Sequence, residues 1–178
     1  MTTTHWDFDN THSNVDFTVR HMVVSKVRGR FAKWSGSLEL DTDDLATAKV
    51  EAHIDASSVD TSDAQRDGHL RTADFFDVEH HPELVFKSTG VVVKSKERAV
   101  LKGDLTIRGV TKPVELDVEF GGRMKDPWGK QRVGFTATGS VDRKDFGVSF
   151  NQTLDHGGVA LGDKVAITID VEATERAS

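Results

Sequence analysis

The chain contains no cysteine and no tyrosine, and it has only three prolines, three methionines and three tryptophans in 178 residues. Without cysteine there can be no disulfide, no thiolate nucleophile and no cysteine-ligated metal. A basic excess is missing too. Lys and Arg number 23 against 29 Asp and Glu, and the net charge of −6 weighs against nucleic acid or an anionic membrane surface as partner. No stretch approaches the roughly 18 apolar residues of a membrane helix, so no integral membrane segment is expected. The opening "MTTTHWDFDN" lacks a basic patch followed by an apolar run, which sets the expectation of no signal peptide and a cytoplasmic location. Nucleophile-elbow, phosphate-loop and dinucleotide motifs are also missing; "GVALG" at 158–162 precedes a final strand and is no fingerprint.

The residues that are present are ordinary for a globular protein, 37% hydrophobic and 29% charged, and the length suits one domain over 1–178. Their order is what informs. Apolar and polar residues alternate with a period of two along most of the chain, the mark of strands with one buried face. Val15, Phe17, Val19 and His21 share one face, as do Ala48, Val50, Ala52 and Ile54. Leu101, Leu105 and Ile107 follow, then Val114, Leu116, Val118 and Phe120. Val133, Phe135 and Ala137 form a further set, and Val165, Ile167, Ile169 and Val171 the last. Two less regular strands are expected over about 30–40, where Phe31 and Trp34 imply a bulge, and over about 83–93 through Leu84 and Phe86. The total is about eight.

Turn residues favour antiparallel neighbours. "RGVTKP" is a short glycine-bearing link that places Pro113 at a strand's first residue, and "GGRMKDPWGK" reads as a longer hairpin loop. Gly36, Gly103, Gly134 and Gly139 fall inside strands, where bulges or bends are expected. One short helix is predicted, opened by a Ser62–Gln65 capping box and running to about Arg71. A single helix cannot cover eight half-apolar strands, so the sheet must close on itself, and a barrel is preferred to a sandwich. A barrel of this size can be filled by side chains or can hold one small ligand. The inward set is mostly Val, Ile, Leu and Ala, which leans toward a lumen but leaves the solid core open.

The stretch "SDAQRDGHLRTADFFDVEHHPELVF" at 62–86 collects charged residues and histidines, yet its spacing does not suit a metal. Asp67 and His69 do not share a helix face, and His80 and His81 are adjacent. Asp67 and Arg71, four apart with the acid first, read as a helix-face ion pair. Phe75 and Phe76 follow the helix and are expected to press this excursion onto a barrel end. His21 continues an inward face, which fits a hydrogen-bonded core histidine or a polar contact for a ligand headgroup. Arg66, Arg71 and Arg143 are candidates for an anionic headgroup, because a guanidinium matches phosphate, although each also fits an ordinary surface role. "DRKDFGVSFNQTLDHGGVALGD", with Gly157 and Gly158 in tandem, reads as a long loop of the kind that forms a mouth or a plain connection.

Several blocks in order carry a family resemblance: "THSNVDFTVRHMVVSKVRGRFAKWSG", "VDTSDAQRDGHLRTADFFDVEHHPELVFKS", "LKGDLTIRGVTKPVELDVEF", "VDRKDFGVSF" and "LGDKVAITIDVEA". With these the chain resembles the YceI-like family over nearly all of its length. The resemblance implies an extended lipocalin-like antiparallel barrel with one short helix and long end loops. It also implies a lumen that binds polyisoprenoids or related amphiphiles, and a homodimer. His21 falls at the histidine of the first block. Phe17, Val19, Phe86, Leu105, Ile107, Leu116 and Phe135 look like lumen lining, and Phe31, Phe75 and Ala137 join His21 and these as the expected ligand-binding residues. Many members are exported to the periplasm, so the expected absence of a signal is a departure. The expected function is non-enzymatic storage or transport of an isoprenoid-like lipid, with no catalytic residue, no cofactor and no metal. The alternative is an enzyme acting on a lipid or quinone, with an acid or base near the barrel mouth.

Overall fold

The computed structural model of the chain describes residues 3–22, 25–151 and 160–176. Its strands are β1 (Thr4–Phe8), β2 (Asn14–His21), β3 (Ser25–Phe31), β4 (Trp34–Asp41), β5 (Asp44–Asp55) and β6 (Val59–Asp60). After the helix α1 (Ala64–Leu70) come β7 (Glu83–Val93), β8 (Arg98–Ile107), β9 (Val110–Lys125), β10 (Gln131–Asp142) and β11 (Leu161–Glu175). All pairings are antiparallel, in the order β1-β4-β5-β7-β8-β9-β10-β11-β2-β3-β6, and a β1–β11 pairing closes the ring.

Strand segments outnumber the expected eight because three staves of the barrel are interrupted. β1 and β2 both run along β11, β1 against Ala173–Glu175 and β2 against Leu161–Asp170. β3 and β4 follow each other in the same way, β3 beside β2 and β4 beside β1. β6 continues β5 across a 3-10 turn at Ala56–Ser58 and pairs with β3. Counted by stave, the wall is an eight-stranded closed barrel.

Local chemistry explains each interruption. The stretch 30–40 is not one bulged strand but two strands separated at Ala32–Lys33. There the amides of Ala32 and Lys33 donate to the Ser58 carbonyl and hydroxyl, both at 3.1 Å, and the Asp55 amide donates to the Lys33 carbonyl at 3.0 Å. These partners lie on the neighbouring turn rather than on a sheet ladder. Between β1 and β2, the Asn10 side chain donates to the Trp34 carbonyl at 2.7 Å and the Ser13 hydroxyl accepts the Glu172 amide at 3.0 Å. Backbone groups that leave the ladder thus find other partners, as buried polar groups must.

The glycines have a different role from the expected corners. Gly134 does sit at a bulge, between Gly134 and Phe135. Gly36 and Gly103 instead lie under aromatic rings. A methyl group on Gly36 would come 2.7 Å from the Phe8 ring, and one on Gly103 would overlap the Phe86 ring. The missing side chains leave room for these rings and, at Gly36, for the Glu51 carbonyl, which an added methyl would approach to 2.6 Å. Pro113 is also displaced from expectation. It sits inside β9 opposite Asp104, because the hairpin turn is just Arg108 and Gly109, both with positive φ, and pairing resumes at Val110. "GGRMK" belongs to β9 likewise, leaving a turn over 126–130.

Helix α1 starts from Asp63, whose carboxylate accepts the Arg66 amide at 3.1 Å, so the Ser62–Gln65 capping box does not form. Neither does the Asp67–Arg71 ion pair. Asp67 is buried and accepts from the Thr61 amide and hydroxyl at 2.9 and 2.5 Å, while Arg71 donates from Nε to the Ser57 carbonyl at 2.9 Å. Both side chains tie the helix to the preceding segment, a stronger use of buried groups than an exposed pair.

The barrel ends differ. One end is plugged by Trp6, Leu38, Leu40, Val133 and Ala173, with Phe120 and Phe135 stacked at 5.2 Å beside them. Leu40 and Ala173 are 0% exposed. At the other end lie α1, the segment that follows it, and a 3-10 turn at Arg143–Phe146.

Candidate functional site

Between these ends the axis of the barrel is hollow. A cavity of about 460 Å³ runs from Leu38 and Leu40 at the plugged end to α1 and Arg143–Phe150 at the other. Packed interiors rarely hold voids larger than a water molecule, and an engineered cavity of roughly 150 Å³ already takes up a small aromatic ligand. The solid-core alternative is therefore excluded for this structure.

Every strand except the two-residue β6 contributes, mostly through its alternation. β2 presents Phe17, Val19 and His21, and Phe31 closes β3 beside them. β7 supplies Phe86, β8 supplies Leu105 and Ile107, β9 supplies Leu116, and β10 supplies Phe135 and Ala137. Phe75, from the loop after α1, covers the helical end. All the ligand-binding residues expected from sequence thus border one cavity.

The aromatic rings form contacts rather than a plug. Phe17 lies 5.5 Å from Phe31, and Phe31 lies 5.6 Å edge-on from Phe76. At the helical end the His69 ring meets Phe75 and Phe150 edge-on, each at 5.0 Å, and Phe75 and Phe150 are 5.4 Å apart. This trio joins the α1 excursion to the segment after Arg143. Phe150 was not expected from sequence, since no periodicity marks a loop residue that acts by contact with a distant helix. Gly157 and Gly158, the centre of the expected long loop, lie outside the described residues.

Polar wall residues are few: Asp16, His21, Thr61, Arg66, His69 and Arg143. His21 ends β2, and its carbonyl accepts the Ser25 hydroxyl at 2.8 Å. Arg66 is drawn back to Thr61, donating from Nε to Oγ1 at 2.7 Å and from Nη2 to the carbonyl at 2.8 Å. His69 shares 2.8 Å with an Asp74 carboxylate oxygen. Burial raises the Asp16 carboxyl above its ordinary range; the nearby Asp170 charge adds to this and Arg30 opposes it. Arg71 does not border the cavity, which removes it from the expected headgroup candidates.

Arg143 stands apart from the other arginines. It is 6% exposed, donating from Nε to the Gly162 carbonyl at 2.9 Å and from Nη1 to the Val148 and Phe150 carbonyls, both at 2.8 Å. Its Nη2 is buried and has no hydrogen-bond partner among the described residues. Desolvation lowers the guanidinium pKa, and the charges of Asp163 and Asp142 partly offset this.

In the stretch 62–86 the histidines do not converge: His69 pairs with Asp74, and His80 pairs with Asp77 at 3.0 Å. Elsewhere Asp9, His12 and Glu172 bring possible ligand atoms within 4.8 Å of one another, a cluster that sequence spacing did not show. Arg132 already occupies its edge, 2.9 Å from Asp9 and 3.7 Å from Glu172. A fixed guanidinium beside the carboxylates opposes a second cation there.

Among the described residues, no helix is long and apolar enough to cross a membrane. Solved structures share the architecture. BcnA of Burkholderia cenocepacia superposes with a TM-score of 0.83 at 23% identity, covering 94% of this chain and 100% of that one. A YCEI protein of Campylobacter jejuni gives 0.78 at 31% identity over 89% and 90%. A polyisoprenoid binding domain from Saccharophagus degradans, implicated in plant cell wall breakdown, gives 0.69 at 14% identity over 96% and 98%. In sequence, a UPF0312 protein of Staphylococcus aureus is 39% identical over 170 residues, 95% of this chain and 96% of its own length. The pattern of the YceI-like domain matches residues 6–173, the span that runs from the plugging Trp6 to the plugging Ala173. The chain belongs to the YceI-like family.

Proposed function

We propose that the protein is a non-enzymatic carrier or store for an isoprenoid-like or similar long-chain amphiphile, held along the barrel axis against the wall residues named above. The observation that carries this reading is the long, almost wholly apolar cavity of about 460 Å³. Such a wall rewards tail length more than polar detail. Each methylene buried contributes roughly 0.8 kcal/mol, so about ten would supply roughly 8 kcal/mol before association costs. The shared fold with a domain named for polyisoprenoid binding supports the same ligand class.

The test is native mass spectrometry of gently purified protein, followed by organic extraction. A bound long-chain mass that extraction removes is expected. The mass of an added prenyl lipid should remain unchanged after prolonged incubation, which separates a carrier from an enzyme. Repeated recovery of empty protein that also takes up no added prenyl lipid contradicts the proposal.

A further inference from the structure

We propose that Arg143 is the headgroup-binding residue of the lumen, where its Nη2, unpartnered among the described residues, donates to an anionic oxygen, so that the preferred cargo is an amphiphilic acid rather than an alcohol or a hydrocarbon. The proposal rests on the carrier reading and specifies the head of the ligand. Three observations support it.

First, the guanidinium is held rather than free. Three backbone carbonyls, of Val148, Phe150 and Gly162, fix Nε and Nη1 on one side, so the orientation of Nη2 is set before any ligand arrives. Second, the remaining nitrogen is buried without an acceptor in a residue that borders the cavity. Buried polar donors are nearly always satisfied, and an orphan in a residue that borders a cavity points to a partner that arrives from that cavity. Third, among the described residues the cation has no carboxylate bonded to it. Its neighbouring acids are engaged elsewhere: Asp142 accepts the Lys144 amide at 2.9 Å, and Asp163 lies 3.2 Å from Lys144 Nζ. All three occupied donors of Arg143 meet neutral carbonyls. A buried charge without a bonded counter-charge is costly, and an anionic head would supply both the missing acceptor and the missing charge.

The other cationic residues at this end fit less well. Arg66 and Arg71 are exposed or half-buried and already bonded to backbone or Thr61. A guanidinium suits carboxylate and phosphate alike, so the shared chemistry is an anionic oxygen at the end of a long apolar tail.

The experiment uses the full chain stripped of lipid and three probes with one C20 prenyl tail: geranylgeranyl phosphate, geranylgeranoic acid and geranylgeraniol. Calorimetric titration below the aggregation concentration of each probe gives the affinities. At least one acid should bind about tenfold or more tightly than the alcohol, the scale of a charged hydrogen bond. A preference between the two acids names the head. Arg143→Gln, checked for fold by circular dichroism, should lose that preference while still binding the alcohol. Where Arg143→Gln does not fold, Arg143→Lys serves instead, keeping the charge but not the fork, and the preference should fall by several-fold. Equal binding of all three probes overturns the headgroup proposal and leaves the carrier reading standing. An acid preference that survives in a folded Arg143→Gln also overturns it. Binding of none of the probes overturns the carrier reading, and this proposal with it.

Discussion

The two ends of the barrel handle charge and apolar surface in opposite ways. At the plugged end Arg132 meets two carboxylates, Asp9 and Asp126, each at 2.9 Å, and Asp126 also accepts the amides of Trp128 and Lys130. Beside this network Trp6, Leu40, Val133 and Ala173 are close to fully buried. At the helical end Arg143 is more deeply buried than Arg132, yet among the described residues it bonds only carbonyls and keeps one nitrogen unpartnered. The rings there, His69, Phe75 and Phe150, touch edge-on, and Phe150 is 37% exposed. One end is completed by the chain itself. The other has an unmet requirement, and the proposed ligand would meet it.

If that contrast holds, damage at the plugged end should cost the most stability. Trp6→Ala removes a ring that is 2% exposed, and loss of a buried tryptophan typically costs about 3–5 kcal/mol. Urea titration should show a midpoint well below that of the parent chain. A shift under about 1 kcal/mol would mean that this end is not the structural anchor.

Gly103→Ala probes the wall between the ends. The added methyl would meet the Phe86 ring, and overpacking of this kind costs about 1–3 kcal/mol. Thermal unfolding of stripped protein measures it. No change would show that both the Phe86 ring and the Lys87 carbonyl, 2.7 Å from the added methyl, give way.

Acid should weaken the plugged end. The bonds from His12 and Arg132 hold the Asp9 carboxyl far below its ordinary range. Burial alone would raise Asp126, but the Lys130 and Trp128 amides and Arg132 leave it lowered. Carboxyls depressed in the folded state contribute stability that is present above about pH 4 and lost as pH falls through their folded values. His12 has the opposite sign, because Asp9 raises its pKa. Its smaller contribution is present below about pH 6.5 and fades as pH rises through the raised value. Thermal scans from pH 7 to 3 should show a steeper acid loss in the parent chain than in Arg132→Met. Parallel curves would remove Arg132 from this role.

The smallest effect expected is none. A chelator should leave the unfolding temperature of untagged protein unchanged, since Arg132 sits on the edge of the Asp9, His12 and Glu172 cluster. A stoichiometric metal lost together with stability would overturn that reading.

Much of the wall was legible because a strand's side chains alternate strictly. Phe17, Val19 and His21, or Leu105 and Ile107, could be assigned to the inner face without knowing their neighbours. The interruptions were not legible, because they depend on partners far along the chain. Asn10 is fixed by Trp34, Ser13 by Glu172, and Asp9 by Arg132, 123 residues away. The helix showed the same limit. Spacing suggested an Asp67–Arg71 pair, but burial against Thr61 and the Ser57 carbonyl determined both partners. Arg143 could be named as a cation in a suitable segment, whereas its bonding to three backbone carbonyls emerged only from the packing around it.

The most direct measurement of the central claim, that the barrel is hollow along its axis, is Ala137→Trp in protein stripped of lipid. Ala137 borders the cavity at mid-strand in β10, opposite Ile169. In a hollow barrel the indole takes up space a ligand would use, so stability should stay within about 1 kcal/mol of the stripped parent while prenyl-lipid binding is lost. Stripped samples are needed because bound ligand adds its own stability. A variant destabilised by about 1–3 kcal/mol or more, as overpacked cores are, would contradict the hollow axis. A variant that binds lipid as the parent does would place the ligand elsewhere.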